Sequence, residues 1–159
     1  IVEKSNQNQI IKEKWFIANS SHVADLAFFL GGFPTSISSY TSGVLKWHKS
    51  ASIFAGSGKT DTGALFSYQA NWECPGRWSL EVLTNNNRLI FKPMEKLFIQ
   101  KKGEISIIED SNLNYEIDEK FKPGLYNQTE SFLKKEFKDM LSINDLPSFV
   151  SIYNKIANY

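Results

Sequence analysis

Residues 64–72 read ALFSYQANW, and the alternation within that stretch decides the kind of fold. Ala64, Phe66, Tyr68, Ala70 and Trp72 fall on one side of an extended chain, with Leu65, Ser67, Gln69 and Asn71 on the other. Successive side chains of a strand point to opposite faces, so the first set reads as a packing face and the second as an outer one. Amides and hydroxyls on an outer face suit a polyhydroxylated or carboxylated ligand, or a subunit surface. A sheet with one solvated face shows the same pattern without any ligand.

The same period of two runs outward on both sides, from about residue 35 to 108. SISSYTSG, ASIFAG, RWSLEVLT, RLIFKP, KLFIQKK and EISIIE read as further strands. In RWSLEVLT, Trp78, Leu80 and Val82 alternate with Arg77, Ser79 and Glu81. Turns are expected at Gly56-Ser57-Gly58-Lys59, Cys74-Pro75-Gly76, Asn85-Asn86-Asn87 and Lys102-Gly103. Short connections of this kind favour antiparallel neighbours.

Helical spacing flanks the strands. Over residues 22–30, Val23, Leu26, Ala27 and Leu30 follow the i, i+3, i+4, i+7 rule of one buried face. Ser20 or Ser21 is placed to cap that helix and Gly31-Gly32 to stop it, while Pro34 prevents its continuation. The segment IIKEKWFI before it enters either a helix or a strand. Beyond Pro123-Gly124, a helix is expected over about 124–140 with Leu125, Thr129, Phe132, Leu133, Glu136 and Phe137 on one side. A second follows SINDLP, with Asn144 or Asp145 as cap and Pro147 in its first turn. The expected architecture is α+β: one large, mainly antiparallel open sheet with helices packed on one face. No internal repeat or low-complexity linker divides the chain, so residues 1–159 read as a single domain.

Composition narrows the function. The 159 residues are 42% hydrophobic and 14% aromatic, which suits a packed core, and 18 basic against 17 acidic residues leave a net charge of +1. Neither a nucleic-acid surface nor a polybasic membrane patch follows from that balance. The longest apolar run, VADLAFFL, is interrupted by Asp25 and far shorter than the roughly 20 residues of a membrane helix. A single cysteine, Cys74, allows no internal disulfide and fits a reducing compartment, so a cytoplasmic protein is expected.

Several motifs invite chemistry and fail. GSGKT (56–60) lacks the earlier glycine of a phosphate-binding loop, Ile53 standing there, and Asp61 replaces the third glycine of a dinucleotide fingerprint. His22, His48 and Cys74 are too few and too scattered for a transition-metal site. His22 is the sharper case. At a helix N-terminus the dipole disfavours imidazolium, and a neutral imidazole can take a proton from an alcohol. A capping or hydrogen-bonded structural histidine is the competing reading.

With those residues in view, HVADLAFFLGG (22–32) resembles the H-x-x-D-x-x-x-x-L-x-G segment that opens the C-terminal half of the glucose–fructose oxidoreductase, inositol dehydrogenase and MocA-like (Gfo/Idh/MocA) family. The stretch GALFSYQANWECPGRWSLEVLTNNNRLIFKPMEKLFIQ is similar to a branch found among oxidoreductases of bacterial surface-sugar (polysaccharide) biosynthesis, and FKPGLYNQTESFL to the helix after the family's sheet. The resemblance implies a single C-terminal substrate-binding and oligomerisation domain, a fragment of a longer two-domain chain whose Rossmann domain is absent from this sequence. It is consistent with a chain that begins without methionine. NAD or NADP in the full-length protein would be bound mainly by that absent domain. A sugar-like small molecule would be the substrate, and a homo-oligomer would form through the open sheet face. The family's proton acceptor falls on His22, while the aspartate that accompanies it falls on Ala18. Asn19, Asn71, Arg77 and Tyr126 are the expected substrate contacts, with no cofactor or metal ligand in this chain. The alternative is a non-catalytic oligomerisation or carbohydrate-binding module.

Overall fold

The computed structural model describes residues 6–47 and 51–159. The chain divides into two compact units, one made of residues 1–76 and 143–159 and the other of residues 77–142.

The first unit is built on a three-stranded antiparallel meander: β1 (Pro34–Ser42), β2 (Ile53–Thr60) and β3 (Leu65–Asn71). In β3 the alternation read from the sequence is what the structure has. Phe66, Tyr68 and Ala70 turn toward the core and Leu65, Ser67, Gln69 and Asn71 outward. Pairing continues it across the sheet, Gly56 lying between Ser39 and Tyr68, and Ser57 between Ser38 and Ser67.

GSGKT is not a turn, as its glycines suggest, but the second half of β2. Gly56 and Gly58 occupy inward positions where an added Cβ would meet Tyr68 and the Ser38 carbonyl, or Phe66 and the Ser36 carbonyl. The glycines make room for aromatic rings from the neighbouring strand, and the reversal comes later, at Asp61–Gly63.

Helices from both ends of the chain cover the inner face. α1 (Gln9–Glu13), capped by the Asn8 side chain, leads into a π-helical stretch, Phe16–Ser20, and then α2 (Ser21–Gly31). Gly32 (φ +95°) ends α2 as expected, its N–H donating to the Phe28 carbonyl. At the far end of the chain lies α5 (Leu146–Ala157), with Asp145 before it and Pro147 in its first turn. The core gathers Phe16, Phe28, Ala51, Phe54, Ile152, Tyr153, Ile156 and Ala157. Phe28 meets Phe66 edge-on at 5.5 Å and Phe149 meets Phe33 at 5.2 Å.

The buried side of α2 differs from the expected one. Phe28 is its buried residue and Ala24 packs beside it, whereas Val23, Leu26 and Ala27 are half-buried and Leu30 is exposed. The π-helical stretch inserts an extra residue into the turn before α2, so the face is set by what Phe16 and Ser20 bury rather than by α2 alone.

The second unit holds a four-stranded antiparallel sheet of β4 (Leu80–Leu83), β5 (Asn87–Phe91), β6 (Leu97–Lys101) and β7 (Ile108–Glu109). Two helices follow: α3 (Glu116–Lys120) and α4 (Leu125–Lys134). Leu80 and Val82 are more covered than Glu81 and Leu83, in keeping with the alternation. α4 stops at Lys135, in the left-handed region at φ 60°, short of the expected 140. The α+β class and its antiparallel strands are as expected; the strands are shared between two sheets because Trp72–Ser79 leaves the extended path. Among the described residues no helix is long and apolar enough to cross a membrane.

Candidate functional site

His22 sits in the first turn of α2 with its side chain exposed. The helix does not begin freely there. Ser20 is buried with helical angles, its side chain makes no cap, and the Ser21 N–H donates to the Phe16 carbonyl. Ser21 also turns its hydroxyl back, donating to the Ile17 carbonyl at 2.9 Å. The serine cap expected from the sequence is therefore replaced by the π-helical stretch. The dipole argument for a neutral His22 loses its basis, because the amides of a true N-terminus are already bonded.

Asn19 belongs to that same π-helical stretch and is half-buried, so one continuous helical segment carries both Asn19 and His22. Ala18, exposed, stands where the resembling family has its aspartate. One carboxylate does accompany the histidine, but downstream. Asp25 follows one turn later on α2, half-buried, with its Oδ1 buried and meeting no hydrogen-bond donor. Burial pushes its carboxyl above the usual aspartate range, and the His22 imidazole pulls it partly back. Sequence reading passed over Asp25, although it is the fourth letter of the quoted H-x-x-D; the signal was the helical spacing itself.

The C-terminal end of α2 is held firmly. Thr60 and Thr62 each donate a hydroxyl hydrogen bond of 2.7 Å to the Gly31 carbonyl. Asp61 Oδ1 accepts from the Phe33 N–H at 2.9 Å. The β2–β3 turn thus satisfies the last groups of the helix that carries His22.

Asn71 ends β3, exposed, and its side-chain oxygen accepts from the Glu73 N–H at 3.0 Å. Beside it, Trp72 stacks on Trp47 with centroids 5.6 Å apart and planes 9° apart, and packs on Phe54 at 4.6 Å. Glu73 Oε2 accepts from the Ser52 hydroxyl at 3.1 Å. This aromatic corner was not read from the sequence as a unit, since its members lie on separate segments.

Arg77 and Tyr126 belong to the second unit. Arg77, 71% exposed, faces Glu95 at 3.6 Å, and Tyr126 stands exposed in the first turn of α4. The structure therefore brings Asn19 and His22 together on one segment and leaves Asn71 on another element of the same unit.

GSGKT, the glycine-rich run that invites a nucleotide reading, is a strand whose glycines face aromatic rings, so this run offers no amide cradle for a pyrophosphate. Among the described residues no cluster of three histidine, cysteine or acidic side chains could hold a metal ion. His48 lies outside the described residues. Cys74 is exposed in the turn after β3. No family model matches the chain, nor does any curated protein or solved structure.

Proposed function

We propose that this chain is the substrate-binding and assembly domain of an NAD(P)-dependent oxidoreductase acting on a hydroxyl of a sugar or nucleotide sugar. The observation that carries the reading is the Asn19–His22 segment. An exposed imidazole and an amide are set one turn apart on a helix whose far end is anchored by Thr60 and Thr62. An imidazole so placed can take the proton of a substrate hydroxyl, and the amide can hold a neighbouring one. Such an oxidation also needs a hydride acceptor; NAD or NADP would serve, held mainly by a Rossmann domain outside this chain. Arg77 and Tyr126 remain candidate substrate contacts on the second unit.

Binding tests this part of the reading without turnover. Ligand titrations of the chain, followed by NMR, are expected to move the signals of His22 and Asn19 with a sugar or nucleotide sugar of a broad panel. Movement confined to surfaces away from α2 and its π-helical lead would contradict it.

The second reading is a non-catalytic assembly or carbohydrate-binding module, favoured by the outer face of the first sheet. Tyr40, Ala55 and Gln69 form one row across it and Ser38, Ser57 and Ser67 the next. Tyr40 is 72% and Leu65 83% exposed. Small polar rows with two large apolar side chains make a surface suited to a second copy. Light scattering separates the two uses: loss of an oligomer on Leu65→Asp or Tyr40→Asp supports assembly through this face, and a strict monomer at high concentration counts against it.

A further inference from the structure

Two turns meet at one end of the second sheet, and the open hollow between them has a volume of about 330 Å³. Residues 84–86 join β4 to β5, and Lys102 and Gly103 turn the chain after β6. The backbone fixes the two turns against each other. Asn87 pairs with Lys101 across the sheet, and the Lys102 N–H donates to the Asn86 carbonyl at 2.7 Å. Thr84 closes the first turn: its hydroxyl donates to the Asn87 carbonyl and accepts from the Asn87 N–H, both at 3.0 Å. Gln100 holds the second, its amide donating to the Glu104 and Ile105 carbonyls at 3.0 and 3.3 Å. Within this frame stand three consecutive asparagines that the turns do not use. Asparagine suits a turn because its side chain bonds nearby backbone or because it tolerates the left-handed region. Neither reason applies: among the described residues the Asn85, Asn86 and Asn87 side chains make no hydrogen bond, and none of the three has a positive φ.

We propose that this hollow binds an anionic sugar, one that carries a carboxylate or a phosphate. Each asparagine amide offers both donors and an acceptor, the pairing that neighbouring hydroxyls require. Lys101 and Lys102 line the same hollow and supply the charge for the anion. Among the described residues neither lysine forms an ion pair, although Glu104 shares the lining. Arg88 is engaged, donating from Nε and Nη2 to Glu81 Oε2, so the two lysines are the cations left for a ligand. Leu83, 77% exposed on the rim, gives the C–H face of a sugar ring an apolar contact. Because the two turns are already bonded to each other, binding orders side chains rather than backbone. No residue of the His22 segment takes part, and the inference does not depend on the reading of His22.

The experiment is an NMR titration of the chain with glucuronate and with glucose-1-phosphate, run beside glucose and inorganic phosphate at fixed ionic strength. The expected result is saturable movement of the Asn85, Asn86, Asn87, Lys101 and Lys102 signals with at least one charged sugar, and weaker binding of glucose and of phosphate. A response to glucuronate alone assigns a carboxylate as the anion, and one to glucose-1-phosphate alone assigns a phosphate. The variant Lys101→Gln/Lys102→Gln is expected to weaken binding about tenfold, and Asn85→Ala/Asn86→Ala about fivefold, on the scale of charged and neutral hydrogen bonds. Signals outside the two turns should match the wild type in both variants, since these side chains hold nothing in the fold; a lost spectrum would give them a structural duty and overturn the proposal. No saturable response to either charged sugar also overturns it. So does inorganic phosphate binding as tightly as the charged sugar, or undiminished affinity in both variants. The His22 and Asn19 signals are read separately, so this result and that for the proposed function are distinguishable.

Discussion

Tyr153 is 3% exposed in the core of the first unit, and its hydroxyl finds no hydrogen-bond partner there. A buried polar group without a partner costs about 1–3 kcal/mol. Tyr153→Phe is therefore expected to leave the melting temperature unchanged or raise it, as read by calorimetry; a large loss would mean the hydroxyl is satisfied. Gly56 and Gly58 show the opposite sensitivity. Either residue changed to Ala drives a methyl against a strand carbonyl and an aromatic ring, and a loss of about 1–3 kcal/mol is expected in denaturant unfolding. Tyr159 adds a pH signature. Its hydroxyl accepts from the Phe16 N–H at 2.9 Å, and burial pushes it up to about 12. Below pH 10 it is protonated in both folded and unfolded chains and contributes nothing to the pH dependence. Between about 10 and 12 the unfolded chain loses this proton first, so stability falls as pH rises through that window. Tyr159→Phe should flatten that part of the curve, with the other tyrosines and lysines still titrating.

At the scale of elements, the helix that carries His22 depends on its ends. Thr60 and Thr62 both donate to the Gly31 carbonyl, so the double variant Thr60→Ala/Thr62→Ala leaves the end of α2 without those donors. A loss of about 1 kcal/mol is expected, on the scale of helix caps, with faster hydrogen exchange confined to the last turn of α2. An unchanged exchange pattern there would mean that Gly32 alone ends the helix. That ending was legible in the sequence, as was α5, because a paired glycine and an Asp-x-Pro start are local signals. The alternation of β3 was legible for the same reason. GSGKT was not, since glycine reads as a turn until the aromatic rings across the strand are known. Nor was the start of α2. Ser20-Ser21 reads as a cap, and only the burial of Phe16 and Ser20 shows that the chain is already helical before it. His22 was found from its type and place; Asp25, one turn further along α2, was hidden among apolar neighbours.

Over the whole molecule, the two units differ in how they bury their apolar surface. The first encloses Phe54, Ile152, Tyr153 and Ile156 between a sheet and two helices, while in the second Ile90 is the buried hydrophobic residue among those described. Phe54→Ala is accordingly expected to cost about 3–5 kcal/mol in the unfolding of the first unit. The break between the units at Gly76–Arg77 was not legible, because strands on either side of Cys74-Pro75-Gly76 read alike whether or not they pair. Of the candidate residues, Asn19, His22 and Asn71 lie in the first unit and Arg77 and Tyr126 in the second. The functional account thus rests chiefly on His22. Its most direct test is sugar-dependent reduction of NAD or NADP by the two-domain oxidoreductase that the account proposes, compared with its His22→Ala variant. The account predicts a fall of about 100-fold or more in kcat with the fold intact, the usual scale for removing a general base. An unchanged rate in a folded variant would contradict it.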